Sequence, residues 1–548
     1  MDKKLIFLLL LGVGYAGTTL HAQDTSKRRT IDITSSFKPV LREAVKINFN
    51  AAPPAVDTAR PRLTYSIPAQ YLFLSYQPGE MKPVALQRDT INPWIRSQYI
   101  KLGVGSVHAP YIKTGFSFGD GKTSFLNAFA NWDNSKGSLP YQKSSLTNVK
   151  LDGTFKTTAN LEWNAGLGYK NDVYYQYGFQ PDSLKFNSDQ LRENFQTVDG
   201  HLSLRNTVPT EFGLLYHPNF KVSYFSDAHN PKGTEANSVL DLPLEKMIGS
   251  AFAFDLGFTA DLTHYSLPLR SSAQNNNVYL VKPGFIVKTR NLFLQAAVTP
   301  SWDNCSFYLL PNFLADISTS DQRFTIQLGW IGYYDKGSYQ RYESINPWLA
   351  QPDSLLNTRM EERYGSFKGS ISNHFAYAAK IGFLEYRNMP LFVNDTLNGG
   401  KDFLIRYEKS MEALQLHGEL SYLQGQDLQI TASLNLLQFH SQKTESKAWG
   451  ILPVEFNTHF KWQAFKDFFA NIDVFAFKGA PYRVPSGAAF HGDNGVDMNA
   501  GVEFRITRQL DLWFQMNNIF NDKYQRWHQY PVYGFNVLGG IVFTFGQK

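Results

Sequence analysis

The sequence predicts an all-β fold, a transmembrane antiparallel up-and-down β-barrel of about 22 strands. Three observations predict it. Segments of about ten residues alternate between apolar and polar side chains, as barrel strands do. Aromatic residues reach 15% of the chain, yet no apolar run beyond the N-terminus is long enough to cross a bilayer as a helix. The turns between segments are short at one end and long at the other.

The alternation is clearest near the C-terminus. In 496–506 one face is Val496, Met498, Ala500, Val502, Phe504 and Ile506, and the other is Asp497, Asn499, Gly501, Glu503 and Arg505. In 510–516 the apolar face is Leu510, Leu512, Phe514 and Met516; Asp511 and Gln515 face the other way, with Trp513 among them. Phe535, Val537, Gly539, Ile541, Phe543 and Phe545 form one face of the last segment. Upstream, Leu428 to Leu436 and Phe324 to Trp330 repeat the pattern. A period of two places each set on one side of a sheet.

A soluble sandwich alternates too, but three features favour the membrane barrel. The segments are long and follow one another as hairpins, the turn lengths are asymmetric, and the polar face carries residues suited to a wet lumen, such as Arg323, Glu503 and Arg505. Composition agrees. Hydrophobic residues make up 43% of the chain, including 43 Phe, 29 Tyr and 10 Trp, while mean hydropathy is −0.31. Barrels place aromatics on the lipid face and in interfacial girdles.

Strands are expected near 98–106, 110–118, 123–133, 145–156, 159–178, 194–206, 213–226, 232–243, 251–264, 277–288, 291–299, 304–315, 322–338, 364–373, 375–388, 403–423, 427–440, 450–463, 468–478, 496–506, 510–520 and 533–545. That count is even, as single-chain bacterial barrels require, and leaves both barrel ends in the periplasm. Short turns at Gly119-Asp120-Gly121, Thr289-Arg290, 424–426, Lys466-Asp467 and 507–509 fall on one side. Long connections at 179–193, 339–363, 389–402, 479–495 and 521–532 fall on the other.

Residues 1–22 read as an export signal: Lys3 and Lys4 precede the apolar stretch Leu5 to Tyr15, and Leu20-His21-Ala22 precedes a cut before Gln23. Residues 23–96 hold Pro53-Pro54, Pro61, Pro68, Pro78, Pro83 and Pro93 with little sustained period, and read as an extended periplasmic or lumenal segment. Residues 97–548 are the barrel, in the outer membrane of a Gram-negative cell, with outer-membrane lipid as its surroundings.

The C-terminal run Asn517-Asn518-Ile519-Phe520-Asn521 with Tyr524, then Tyr530-Pro531, Gly534, Gly539-Gly540 and the closing Phe543 and Phe545, resembles the last two strands of TonB-dependent receptors. Arg387-Asn388-Met389-Pro390-Leu391-Phe392 resembles loops of Bacteroidetes barrels. The resemblance implies energised import of large or scarce nutrients, gated by a plug and pulled by TonB. Residues 23–96 are too few for the usual plug, so a barrel without a plug domain is expected. Thr30-Ile31-Asp32-Ile33-Thr34 could stand as a TonB-box analogue but reads rather as an ordinary strand or linker, which leaves engagement of TonB open.

Chemical motifs are weak. Gly12 to Gly17 fits GxGxxG but lies in the export signal, without a strand–turn–helix context. Gly115-Phe116-Ser117-Phe118-Gly119 fits GxSxG, but a hairpin to another strand follows where a nucleophile elbow needs a helix. Gly121-Lys122-Thr123 reads as a tight turn. His417 and Glu419 share a strand face as polar lumen residues, and Asp493-Asn494-Gly495 with His491 reads as an outer-loop turn. The single cysteine, Cys305, excludes an intramolecular disulfide and a Cys-rich metal site, and reads as a packed or lipid-facing thiol.

No catalytic, cofactor-binding or metal residue is therefore assigned, and an enzyme is not expected. The charge surplus, 53 − 47 = +6, is partly N-terminal and forms no basic, aromatic-flanked run, so nucleic acid is not a partner. The functional expectation is transport or uptake of a solute across the outer membrane. The alternative is a structural or partner-binding barrel subunit of an outer-membrane complex, with a surface lipoprotein or a periplasmic protein as partner.

Overall fold

The computed structural model describes residues 98–545 apart from 121, 180–183, 229–232, 268–272, 397–398, 426 and 485. The export signal, the Pro-rich segment 23–96, the stretch Thr30–Thr34, and with them the expected lack of a plug, lie outside the described residues.

The wall begins with β1 (Gln98–Gly105), β2 (His108–Gly119), β3 (Ser124–Lys136), β4 (Lys143–Lys156), β5 (Leu161–Tyr175) and β6 (Arg192–Asn206). It continues with β7 (Leu214–Tyr216), β8 (Asn219–Asp227), β9 (Thr234–Ile248), β10 (Phe252–Ser266), β11 (Gln274–Lys288), β12 (Leu292–Asp303), β13 (Ser306–Ser318), β14 (Phe324–Asp335), β15 (Thr358–Ile371) and β16 (Phe375–Arg387). A loop hairpin, β17 (Met389–Asn394) and β18 (Phe403–Glu408), precedes β19 (Met411–Gln424), β20 (Leu428–Gln442), β21 (Val454–Phe465) and β22 (Phe468–Lys478). A second loop hairpin, β23 (Pro481–Arg483) and β24 (Ala489–His491), precedes β25 (Gly495–Arg505) and β26 (Leu510–Asn517); a third, β27 (Gln525–Trp527) and β28 (Tyr530–Pro531), precedes β29 (Asn536–Phe545). One short helix, α1 (Tyr339–Ile345), lies between β14 and β15. No helix among the described residues is long and apolar enough to cross a membrane.

The sheet closes on itself. β1 pairs antiparallel with β29 from Gln98↔Phe545 to Gly105↔Leu538, so no edge is left to hydrogen-bond in lipid. β7 and β8 both pair with β9, broken only at His217-Pro218, and act as one stave. The wall is thus a closed antiparallel barrel of 22 staves. Both barrel ends lie on the short-turn side, the side that faces the periplasm in bacterial outer-membrane barrels generally.

The two faces sort as the alternation predicts. Val496, Phe504, Leu512 and Phe514 are exposed on the outside, whereas Asp497, Asn499, Glu503, Asp511 and Gln515 are buried inside. Exposed apolar side chains recur on stave after stave, among them Leu102, Leu126, Leu167, Val222, Phe254, Phe285, Leu328, Phe383 and Leu420. In water this belt would be an aggregation surface; in hydrocarbon it is the required one. The inner wall is charged and paired, for example Lys150–Asp152 at 3.2 Å, Arg205–Glu162 at 2.6 Å and Lys288–Glu245 at 3.0 Å.

Trp513 is the exception in its segment, and the structure shows why. Its ring lies inside beside two paired glycines, Gly103↔Gly540; a Cβ on Gly103 would come within 2.4 Å of the ring. Trp513 Nε1 donates to the Leu102 carbonyl at 3.2 Å, and Lys101 Nζ sits 3.8 Å from the ring centroid.

Three expectations need correction. Residues 403–423 are not one strand: the chain breaks after Glu408, and 403–408 pairs with β17 above the wall. The turn expected at 300–303 falls instead at Asn304-Cys305, because Pro300 is accommodated within β12, opposite Leu309. Cys305 is not packed; it is exposed in that turn. Asn304 and Cys305 have φ of 46° and 80°, the paired positive values of a two-residue hairpin turn.

Candidate functional site: the loops across the outer mouth

The long connections do not stand apart as separate loops. Aromatic side chains spaced along 339–355 leave the wall and pack on staves that are not their neighbours. Tyr339, Tyr342, Ile345, Leu349 and Leu355 form one buried cluster with Phe195 on β6, Phe225 on β8 and Tyr265 on β10. Staves β7/β8 to β13 stand between β6 and the strand that launches this loop, so the segment reaches across the mouth. Phe392 and Phe403 of the first loop hairpin and Trp527 and Tyr530 of the third complete the cluster. Trp348 stacks on Tyr530 at 3.9 Å between centroids.

Hydrogen bonds satisfy many of the polar groups that this burial would otherwise strand, though Asn346 Nδ2 has no partner among the described residues. Ser338 caps α1 by accepting from Arg341 N, and its hydroxyl donates to Glu235 Oε1 at 2.6 Å. Tyr339 OH donates to Asp227 Oδ2 at 2.6 Å, and Gln351 Nε2 to the same oxygen at 3.1 Å. Asn276 and Asn357 exchange side-chain bonds at 2.9 and 2.7 Å. Tyr177 OH and Gln142 Nε2 both donate to the Pro531 carbonyl, at 2.9 and 3.0 Å.

A second cluster ties the next loops. Met389, Leu391 and Val393 pack with Ala448, Trp449 and Ile451 against Tyr386, Met411 and Ala413. Glu408 holds the two loops together: its carboxylate accepts from Ser410 N at 3.1 Å, Lys443 N at 2.9 Å, Thr444 N at 2.9 Å and Glu445 N at 2.6 Å. Burial raises its pKa, and the four N–H donors outweigh that, so the carboxyl ionises below its usual range.

Charge inside the cap is unevenly placed. Glu343 on α1 is 4% exposed, and burial pushes its carboxyl up to about 8; Lys170 opposes the shift, and Asp172 and Asp227 add to it. His528 is lowered to about 4 by burial, against the pull of Asp493, and is neutral at ordinary pH. A cleft of about 120 Å³ opens between the second and third loop hairpins, lined among others by Phe392, Tyr482, His491, Asp493, Arg526 and His528. Tyr482 and His528 stack at 3.6 Å between centroids and 12° between planes.

The motifs weighed in the sequence fall elsewhere. Ser117 lies on β2 and donates to Asn127 Oδ1 at 2.7 Å. The backbone N–H groups of Lys122 and Thr123 donate to Asp120 Oδ1 at 2.9 and 2.8 Å, the geometry of a capped turn. His417 and Glu419 lie on β19 at alternate positions of one face. Asn494 Oδ1 accepts from Gly479 N at 3.1 Å and closes the loop that carries His491 and Asp493. Among the described residues no three His, Cys, Asp or Glu gather as a metal site. Arg526, His528, Glu343 and Glu408 were not singled out in the sequence; Tyr530-Pro531, which was, follows Arg526 and His528 in the same loop.

No family model and no curated protein matches the sequence. Solved structures do match by fold. The siderophore receptor PirA from Pseudomonas aeruginosa aligns with a TM-score of 0.57 at 9% identity, over 83% of this chain and 81% of its own. The FrpB iron transporter from Neisseria meningitidis (F3-3 variant) gives 0.63 at 10%, over 82% and 81%. The pyoverdine outer membrane receptor FpvA from Pseudomonas aeruginosa, bound to pyoverdine, gives 0.61 at 11%, over 83% and 79%. These are transport receptors, not enzymes. The chain is a closed 22-stave antiparallel β-barrel that shares its fold with these siderophore and iron receptors.

Proposed function

We propose that this barrel takes up a solute across the outer membrane with its outer mouth closed at rest, as a receptor would, and is not a standing diffusion pore. The observation that carries the reading is the cap: loops from distant staves meet over the lumen in one aromatic cluster. A diffusion pore of this width keeps its mouth open to water. A wide barrel that fills its mouth with its own buried side chains must rearrange to pass anything. In this reading residues 1–22 are removed on export, and 23–96 extend into the periplasm or the lumen.

The receptors that share the fold are named for siderophores and iron, which makes ferric chelates the first solutes to try. The test is accumulation of radioactive iron, presented as a panel of chelates, by cells that lack their own chelate receptors, with and without this protein. Energy-dependent accumulation that requires the protein is expected. A second reading, a structural or partner-binding subunit, draws on the same cap, because loops tied by so many hydrogen bonds offer a fixed surface for a surface lipoprotein. Equal accumulation across the panel, with a stoichiometric partner recovered from native membranes, would favour that second reading.

A further inference from the structure

We propose that the third loop hairpin, 525–531, is the latch of the mouth: its withdrawal frees the other capping loops together. This rests on the uptake reading and names the element that moves when the mouth opens. The observation that carries it is convergence, because this hairpin meets outer connections from all round the wall. Gln142 Nε2, just before β4, and Tyr177 OH, just after β5, both donate to the Pro531 carbonyl. Trp348, between β14 and β15, stacks on Tyr530. Tyr530 OH donates to the Lys401 carbonyl, between β17 and β18. Arg526 Nη2 donates to the Gly450 carbonyl, between β20 and β21, at 3.0 Å. His528 stacks on Tyr482 of the second hairpin.

The hairpin is built to move as a unit. β27 and β28 pair with each other and stand outside the wall sheet, and Val532 N donates to the Tyr524 carbonyl at 3.1 Å across the base. Withdrawal therefore breaks no ladder bond of the barrel. It breaks ring stacks and side-chain bonds to carbonyls, each weak against a strand ladder. The tip sits in a socket shaped by glycines of two other loops: a Cβ on Gly178 would collide with the Gln529 carbonyl, and one on Gly400 with the Gln529 side chain. Tyr342 makes the contrast. It is as deeply buried in the same cluster, but its hydroxyl meets the Leu356 carbonyl of its own loop and Tyr407, and its ring meets Phe392.

The test is hydrogen exchange of the folded full-length protein in detergent. Three amides report on three loops, each bonded elsewhere than to the hairpin: Gln176 N donates to the Leu191 carbonyl at 2.8 Å, Phe403 N to that of Trp348 at 3.0 Å and Gly450 N to that of Pro481 at 3.1 Å. Tyr530→Ala should speed all three together by about tenfold or more. Gly178→Ala alters no residue of the hairpin, yet it should unseat the tip and speed Phe403 and Gly450 in loops other than its own. Tyr342→Ala should speed Phe403 and leave Gln176 and Gly450 protected. The proposal is overturned if Tyr530→Ala speeds exchange in its own loop alone. It is equally overturned if Tyr342→Ala speeds all three amides as much, which would make the cap one uniform block. Should Tyr530→Ala fail to fold, unchanged exchange at Phe403 and Gly450 in Gly178→Ala overturns it. No solute enters the measurement, so a failed latch leaves the uptake reading standing, and absent chelate accumulation leaves the coupling of the loops standing.

Discussion

Phe514 and Gln515 are neighbours in the chain that meet different solvents. Phe514 is 42% exposed on the lipid face, and Gln515 is 7% exposed on the lumen face. Phe514→Lys should cost about 2–4 kcal/mol at mid-bilayer depth, whereas Gln515→Lys should be tolerated; the folded, heat-modifiable band on a gel reads both, and equal tolerance would contradict the assignment of faces. Such faces were legible because the solvent on each side dictates residue type locally. Trp513 was not, because its room comes from Gly103 and Gly540 on other strands. Glu343 was not, because its surroundings are assembled by the fold. With its carboxyl held up to about 8, the folded cap keeps a proton that an unfolded chain gives up near 4.5. That contribution is therefore full below about pH 4.5 and is lost as pH rises through about 8. Hydrogen exchange in 336–357 should accelerate over that range in the wild type, and Glu343→Gln should flatten the dependence. An unchanged pH profile in the variant would assign the effect to another group.

Whole elements were legible where turn chemistry punctuates them. The short turns at 119–121, 289–290, 466–467 and 507–509 stand within a residue or two of their expected places, and the even stave count follows from them. Residues 403–408 misled because Phe403-Leu404-Ile405 is as strand-like as any stave, and what ends the run is a long-range contact. Glu408 turns the chain aside by gathering N–H groups from 443–445, more than thirty residues away. Glu408→Ala strands those donors. It should loosen the 443–453 loop by about 1–3 kcal/mol and speed its exchange and its cleavage after Lys443 and Lys447, with barrel melting unchanged. A variant as protected as the wild type would show that Trp449 and its apolar neighbours hold the loop alone. The split stave β7/β8 shows the converse case, in which a break at His217-Pro218 leaves the register and the count intact.

At the scale of the molecule, the barrel was legible in the sequence and the cap was not. Alternation is a local record of two solvents, whereas the cap depends on which distant loops meet, and Tyr339, Phe392, Trp527 and Tyr530 carry no sign of one another along the chain. The single cysteine offers a direct check on orientation. Cys305 is exposed in a turn on the same side as the capping loops, so a membrane-impermeant maleimide should label it in intact cells. Labelling that appears only after permeabilisation would invert the barrel. The central claim, an outer mouth closed at rest by its own loops, is tested most directly by single-channel recording of the purified full-length protein in planar bilayers. The account predicts no stable open state for the wild type, and a steady conductance once Met389–Glu408 is replaced by a tight turn. A wild-type protein that conducts steadily on insertion would contradict it.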